Sequence, residues 1–172
     1  GPSVFPPLPS GITNLSYANS FKWNLSKGED RYRRGLYTFF KRTSPHPNLL
    51  TFDCPDSNVA CVKRNRSNTP LAALVTLNNS TFTEAAKALA KRILTDAEKN
   101  DPDRIAHGFR LCVSRSPTSH EETAFEHLLA ESRSWYADHH DDAKAIADDP
   151  ETAAWTATSR ILLNMDEFLT RE

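Results

Sequence analysis

From residue 69 to residue 170 the apolar positions recur at intervals of three and four residues, which is the spacing of amphipathic α-helices. Each stretch of this pattern follows a residue combination that favours a helix start, either a proline at the first turn or a Thr-x-x-Glu capping box. The capping boxes are Thr81-x-x-Glu84 and Thr118-x-x-Glu121. The pattern therefore predicts a helical bundle or array of about five helices over 69–170.

The residues before this region lack helical periodicity. Residues 1–28 are rich in proline, serine and asparagine, which predicts an extended arm. The aromatic segment 32–42 predicts a short irregular or β segment, and residues 43–68, with three prolines, predict an ordered loop that we call the motif loop. The chain is thus predicted to be mainly α, with the arm followed by a single helical domain over 29–172.

Charge is distributed unevenly along the chain. Residues 1–80 contain ten Lys/Arg and four Asp/Glu, giving +6, whereas residues 81–172 contain eleven and eighteen, giving −7. The basic half either packs against acidic helices or forms an anion-binding surface. Nucleic acid is not an expected partner, because the whole chain lacks the high isoelectric point of such domains. No apolar run approaches the length of a membrane span.

The three cysteines do not form a closed disulfide framework, because their number is odd. Cys54 and Cys61 are close enough in sequence for a bridge if the chain between them doubles back. Cys112 lies on an apolar helical face and is predicted to be a core residue. The spacing of His and Cys residues predicts no metal site in this chain.

Asp53 is a carboxylate surrounded in sequence by cations. The favoured interpretation is an ion pair with Arg64 or Arg66 that fixes the motif loop, because a guanidinium can donate two hydrogen bonds to one carboxylate. The alternative is a ligand-binding or catalytic carboxylate acting on an anionic or carbohydrate substrate. The candidate structural or ligand-binding cluster consists of Arg33, Arg34, Tyr37, Lys41, Arg42, Asp53, Arg64, Arg66 and Asn68. No catalytic residue is predicted.

The aromatic side chains near this cluster have two interpretations. Trp23, Tyr37, Phe39 and Phe40 either pack in a core, which we favour, or form a face on which a sugar ring stacks.

Several motifs in the first half of the chain are long and specific. They are Arg33–Thr43, Pro45 and Pro47, Phe52–Pro55, Cys61–Leu74, Leu77-Asn78 and Phe82–Ala86. In these motifs the chain resembles the C-terminal planctomycete-specific domain of planctomycete cytochrome c proteins, a domain of unknown function. Cys54 stands where that family usually has alanine, so a Cys54–Cys61 bridge would be particular to this protein.

The resemblance implies a place in a larger protein rather than a reaction. Members of that family are usually large and exported, and they often begin with a haem-binding domain. The resemblance therefore implies an extracytoplasmic location, haem only in a separate upstream domain, and upstream domains of the same polypeptide as partners. We expect a structural or partner-binding module, with the anionic or carbohydrate ligand as the alternative.

Overall fold

The computed structural model describes residues 1–8, 22–56, 58–65, 67–97 and 100–170. It divides into two compact units, Gly1–Val75 and Thr76–Glu172. The boundary predicted between residues 28 and 29 falls inside the first unit.

Helices account for the regular structure of the described residues, and no β-strand is formed among them. Two short 3-10 turns, Gly28–Tyr32 and Gly35–Tyr37, precede the α-helices. The α-helices are α1 (Pro47–Thr51), α2 (Pro70–Asn78), α3 (Ser80–Asp96), α4 (Asp101–Val113), α5 (Ser119–Asp138), α6 (His140–Ile146), α7 (Pro150–Leu162) and α8 (Asp166–Leu169).

The first unit is organised around the N-terminal segment. The Val4 N–H donates to Tyr37 O at 2.8 Å, and the Phe39 N–H donates to Val4 O at 2.8 Å, which makes an isolated parallel bridge between Val4 and Thr38. On the other side of this segment, the Ser26 N–H donates to Phe5 O at 2.9 Å. The described part of the arm is therefore extended, as predicted, and it forms the centre of a small three-segment layer.

The second unit is a helical bundle with α7 at its centre. Helix α7 packs against α3 and α5, and Trp155 within it has no exposed surface. Gly108 of α4 allows close approach, because a Cβ there would lie 2.9 Å from Leu162 Cδ1 and 3.1 Å from Ile93 Cδ1. Cys112 is buried in the same core, so its prediction as a core residue is confirmed.

Side chains cap the helices much as the sequence indicates. The Thr118 hydroxyl and the Glu121 carboxylate form the predicted reciprocal capping box at α5. The box predicted at Thr81 is corrected: the side chain of Asn79 caps α3 by accepting from the Thr81 N–H at 2.9 Å. A short asparagine side chain reaches the second amide of the helix as readily as a threonine does.

The prediction of about five helices over 69–170 is also corrected, because the described residues of this range form seven. The aspartate-rich segment that follows α5 forms the short helix α6. The last predicted helix is divided into α7 and α8 by a turn at Leu163–Met165, where Thr76 Oγ1 donates to Asn164 Oδ1 at 2.5 Å. The motif loop contains the helix α1, which the loop prediction missed.

Among the helices that the structure describes, none combines the length and the apolar character needed to cross a membrane.

Candidate functional site

The motif loop begins where α1 ends. Asp53 has φ of +54°, a left-handed conformation that aspartate tolerates better than most residues. The Cys54 N–H donates back to Leu49 O at 2.8 Å, which closes the helix end in the manner of a Schellman motif. This turn directs the chain away from α1 into the loop.

The Asp53 carboxylate connects the two ends of the loop. Its Oδ2 accepts from the Ser67 N–H at 2.7 Å, and both oxygens accept from the Ser67 hydroxyl, at 3.0 Å and 2.9 Å. Hydrogen bonds to a charged acceptor are stronger than those between neutral groups. The Asp53 carboxylate therefore holds Ser67, a residue that the sequence did not indicate as its partner.

Arg64 also joins the two ends of the loop, through a different set of atoms. Its Nε donates to Asp53 O at 2.9 Å and its Nη2 donates to Phe52 O at 2.9 Å. The predicted ion pair between Arg64 and the Asp53 carboxylate is thus corrected. The left-handed turn at Asp53 exposes two successive carbonyls to the guanidinium, and the carboxylate accepts from Ser67 instead. The part of the prediction that concerns Arg66 lies outside the described residues.

We call these contacts of Asp53 with Ser67 and Arg64 the neck of the loop. Beyond the neck the loop surrounds an open cavity of about 570 Å³. The Asp56 carboxylate accepts from the Asn58 N–H at 2.9 Å and from its side-chain amide at 2.7 Å, which fixes the tip. We call this space the loop cavity. Its lining consists of Leu50, Asp53, Cys54, Pro55, Asp56, Val59, Ala60, Cys61, Val62, Lys63, Arg64 and Asn65.

Three aliphatic side chains of the loop cavity are open to solvent. Leu50 is 59% exposed, Val59 is 68% exposed and Val62 is fully exposed. Exposed aliphatic side chains around one concave space are available to contact another molecule. The sequence analysis missed these residues, although the run Val59–Val62 is apolar within a predicted loop and offered a signal.

The charged groups of the loop cavity differ in their hydrogen-bond and ion-pair partners. The carboxylates of Asp53 and Asp56 already accept the hydrogen bonds given above, whereas neither Lys63 nor Arg64 lies within ion-pair distance of a carboxylate in the described part of the chain. The lining therefore combines aliphatic side chains with two carboxylates and two cations, and the cations have no carboxylate partner among the described residues.

The aromatic residues pack on one another instead of facing the loop cavity. Phe5 stacks on Phe39 with ring centroids 5.2 Å apart, and the edge of Trp23 meets Phe5 at 5.2 Å. The indole N–H of Trp23 donates to Pro6 O at 2.8 Å. This geometry agrees with the core interpretation for Trp23 and Phe39, since their faces are occupied.

The basic residues of the predicted cluster do not converge on one point. The Arg33 guanidinium lies over the Tyr37 ring at 4.0 Å, donates to Pro2 O at 3.2 Å, and lies 3.6 Å from Asp30 Oδ1. Asp53 and Arg64 line the loop cavity, whereas Arg33, Arg34, Tyr37, Lys41, Arg42 and Asn68 do not.

All three thiols are free. The Cys54 Sγ lies 3.7 Å from Pro55 O, and the Cys61 Sγ lies 3.3 Å from Lys63 O. The predicted Cys54–Cys61 bridge is thus not formed in this structure. Burial raises the pKa of the Cys112 thiol to about 11, which leaves that residue unreactive near neutral pH.

No cluster of three or more His, Cys, Asp or Glu side chains within the described ranges could hold a metal ion.

A protein-family model matches most of the chain. Residues 1–129 match the model of PSD1, described as a protein of unknown function (DUF1553). No curated protein and no solved structure matches the chain at a significant level. The comparisons thus give the chain a family but no reaction.

Proposed function

Because the chain belongs to the PSD1 family of proteins of unknown function (DUF1553), which supplies no activity, we propose from the geometry that it is a partner-binding module whose contact surface is the loop cavity. The observation that carries the proposal is the exposure of Leu50, Val59 and Val62 around a concave space whose neck is held by Asp53 and Arg64.

The hydrogen bonds of the neck explain why the aliphatic side chains of the loop stay exposed. A loop with free ends could turn its aliphatic side chains inward at little cost. This loop is closed by four donor groups, two of Arg64 and two of Ser67, which bond to Phe52 and Asp53. A surface held in its bound conformation loses less conformational entropy when a partner docks.

The chemistry of the surface favours an extended acidic peptide segment with aliphatic side chains. Residues 1–75 contain ten Lys/Arg and four Asp/Glu, and the cations Lys63 and Arg64 border the aliphatic groups. Residues 59–65 form no helix, and their main-chain N–H groups donate to no carbonyl among the described residues. An extended peptide can place alternate side chains against the aliphatic groups of the cavity.

The concave shape argues for a peptide over an anionic membrane, because membrane-binding loops insert apolar tips that protrude. The family resemblance points to preceding domains of the same polypeptide as the first partner to test. It also leads us to propose an exported protein, with haem confined to a separate upstream domain.

Selection of a displayed random-peptide library against the purified chain tests this proposal. We expect enriched peptides to combine Asp or Glu with aliphatic residues. A synthetic peptide from the selection should bind about tenfold more weakly to a Leu50→Ser/Val62→Ser double variant, because hot-spot side chains dominate interface energy. Val62 is fully exposed and Leu50 is 59% exposed, so we expect the variant to fold, which its circular dichroism spectrum checks.

The matched control is the Trp135→Ser/Ile161→Ser double variant, which removes two exposed apolar side chains from the helical unit. It should bind the peptide as the parent does. Equal loss in both double variants would contradict the proposal, as would binding of acidic oligosaccharides or anionic vesicles that ignores Leu50 and Val62.

A further inference from the structure

Two of the three thiols of this chain line the same cavity. Cys54 is half-buried and Cys61 is exposed, and both belong to the wall of the loop cavity. The third thiol, Cys112, is buried in the helical unit. The two loop thiols are thus the accessible pair.

The neck of the loop joins the two chain segments that carry these thiols. Arg64 contacts the carbonyl of Asp53 through its side chain, so the two residues lie within the length of one arginine. Cys54 directly follows Asp53, and Cys61 precedes Arg64 by three residues, a span of at most about 11 Å even when extended. The contact of Cys61 Sγ with Lys63 O shows that this span turns back and is shorter.

We propose that Cys54 and Cys61 form a reversible dithiol–disulfide pair that closes the loop cavity when oxidised. The effect of this pair on peptide binding rests on the function proposed above, whereas its thiol chemistry does not. The oxidant is a small-molecule disulfide, and the protein supplies both electrons through its two thiols.

The reaction has two exchange steps. The Cys61 thiolate, which is the more exposed, attacks one sulfur of the external disulfide, forms a mixed disulfide and releases one thiolate. The Cys54 thiolate then attacks the Cys61 sulfur and releases the second thiolate. Two protein thiols are oxidised, one external disulfide is reduced to two thiols, and the two protons lost from the cysteines pass to the leaving thiolates.

Closure follows from the geometry of a disulfide. A bridge requires the two Cα atoms to lie roughly 4.4–6.8 Å apart. It would join the segment after Asp53 to the segment before Arg64 and draw together the walls that carry Leu50 and Val62. The peptide site would lose its width, so oxidation should release a bound peptide and reduction should restore it.

Oxidised glutathione added to the reduced full chain tests the chemistry. After alkylation of the remaining thiols and digestion with trypsin, both loop cysteines fall within one peptide, residues 43–63. We expect this peptide unalkylated and lacking two hydrogen atoms, with Cys112 as the only alkylated site. The yield should not depend on protein concentration, and the Cys61→Ser variant should give no such peptide.

Binding of a synthetic peptide from the library selection tests the closure. The oxidised chain should bind it about tenfold more weakly than the reduced chain, with full recovery on reduction. The Cys54→Ser/Cys61→Ser double variant, which can form neither the bridge nor a glutathione adduct in the loop, should bind equally in both conditions.

Three results would count against parts of this account. A glutathione adduct on Cys61 alone, or dimers linked between chains, would overturn the dithiol pair. A bridge that leaves peptide affinity unchanged would overturn the closure. Failure of the reduced chain to bind any selected peptide would contradict the proposed function, while the residue 43–63 peptide would still decide the thiol chemistry.

Discussion

His46 is the residue whose protonation state the first unit depends on most directly. Its Nδ1 accepts from the Asn48 N–H at 3.2 Å and so caps α1, and its Nε2 donates to Pro7 O at 3.1 Å. The ring is buried beside Trp23, with centroids 5.8 Å apart. The neutral tautomer with a proton on Nε2 satisfies both contacts, whereas a proton on Nδ1 would face the Asn48 N–H.

Burial lowers the pKa of His46 below its usual value of 6.5. The neutral form is therefore favoured in the folded state, and its contribution to stability is complete above pH 6.5 and is lost as the pH falls below that value. We expect amides of the first unit to exchange faster as the pH falls from about 7 to about 5.5, after correction for the intrinsic pH dependence of exchange.

The His46→Asn variant is the control for this prediction, since asparagine keeps a capping side chain but does not titrate. Its corrected exchange should stay flat over the same pH range. The same pH dependence in the variant and the parent would show that another group is responsible.

The contacts of Asp53 were only partly predictable from the sequence. The sequence identified it as the carboxylate that fixes the motif loop, because it is flanked by cations. It did not identify Ser67 as the partner, since that choice depends on the left-handed backbone at Asp53, where φ is +54°. Local sequence shows which groups need partners, whereas chain direction decides which partner is reached.

At the scale of the helices, Arg133 of α5 joins three helix segments of the second unit. It donates two hydrogen bonds to Asp101 at the start of α4 and two to Glu151 in the first turn of α7. Hydrogen bonds from Arg133 hold the pKa of both carboxyl groups below their usual range. A planar guanidinium that engages two carboxylates fixes the angle between the helices as well as their distance.

We expect the Arg133→Gln variant to reduce the free energy of unfolding by about 1–2 kcal/mol, a value discounted because the three side chains are about one-third exposed. The loss should shrink as the pH falls below the usual carboxylate pKa, because Asp101 and Glu151 then carry less charge. Chemical denaturation at several pH values measures both effects.

Arg92→Gln is the matched control. Arg92 pairs with Asp96 on the exposed surface of α3, four residues along the same helix. Such pairs contribute less than about 0.5 kcal/mol. Equal destabilisation by both variants would contradict the assignment of Arg133 as a clamp between helices.

Most helices were predictable because their capping residues and apolar stripes can be recognised from residues that are close together in the sequence. Thr118 and Glu121 form the predicted capping box, and Asp149, which precedes a proline in the sequence, caps α7. The break between α7 and α8 was not predictable, since the apolar stripe continues across it and the turn is held by Thr76, which is distant in sequence from Asn164.

At the scale of the whole molecule, the two units differ in surface chemistry. Among the described residues, eight of the ten large hydrophobic side chains that are exposed lie in the first unit: Leu25, Tyr32, Leu36, Leu50, Val59, Val62, Leu71 and Leu74. The acidic residues are concentrated in the second unit, where they pair with arginine and lysine. The sequence showed the charge asymmetry but not the exposure, which depends on how the loop folds.

This contrast agrees with a division of roles. The second unit contains the buried core and the charged clamps that stabilise it, whereas the first unit presents apolar and cationic groups to solvent. Exposed aliphatic side chains grouped around one cavity are available to contact another molecule.

Hydrogen–deuterium exchange of the whole chain, with and without a saturating selected acidic peptide, measures the central claim directly. Because residues 59–65 donate no main-chain hydrogen bond to a carbonyl among the described residues, their amides should exchange fast in the free protein and slow by about tenfold or more in the complex. The amides of α3, α5 and α7 should be unchanged. Protection confined to those helices, with none in residues 50–65, would contradict the loop cavity as the contact surface.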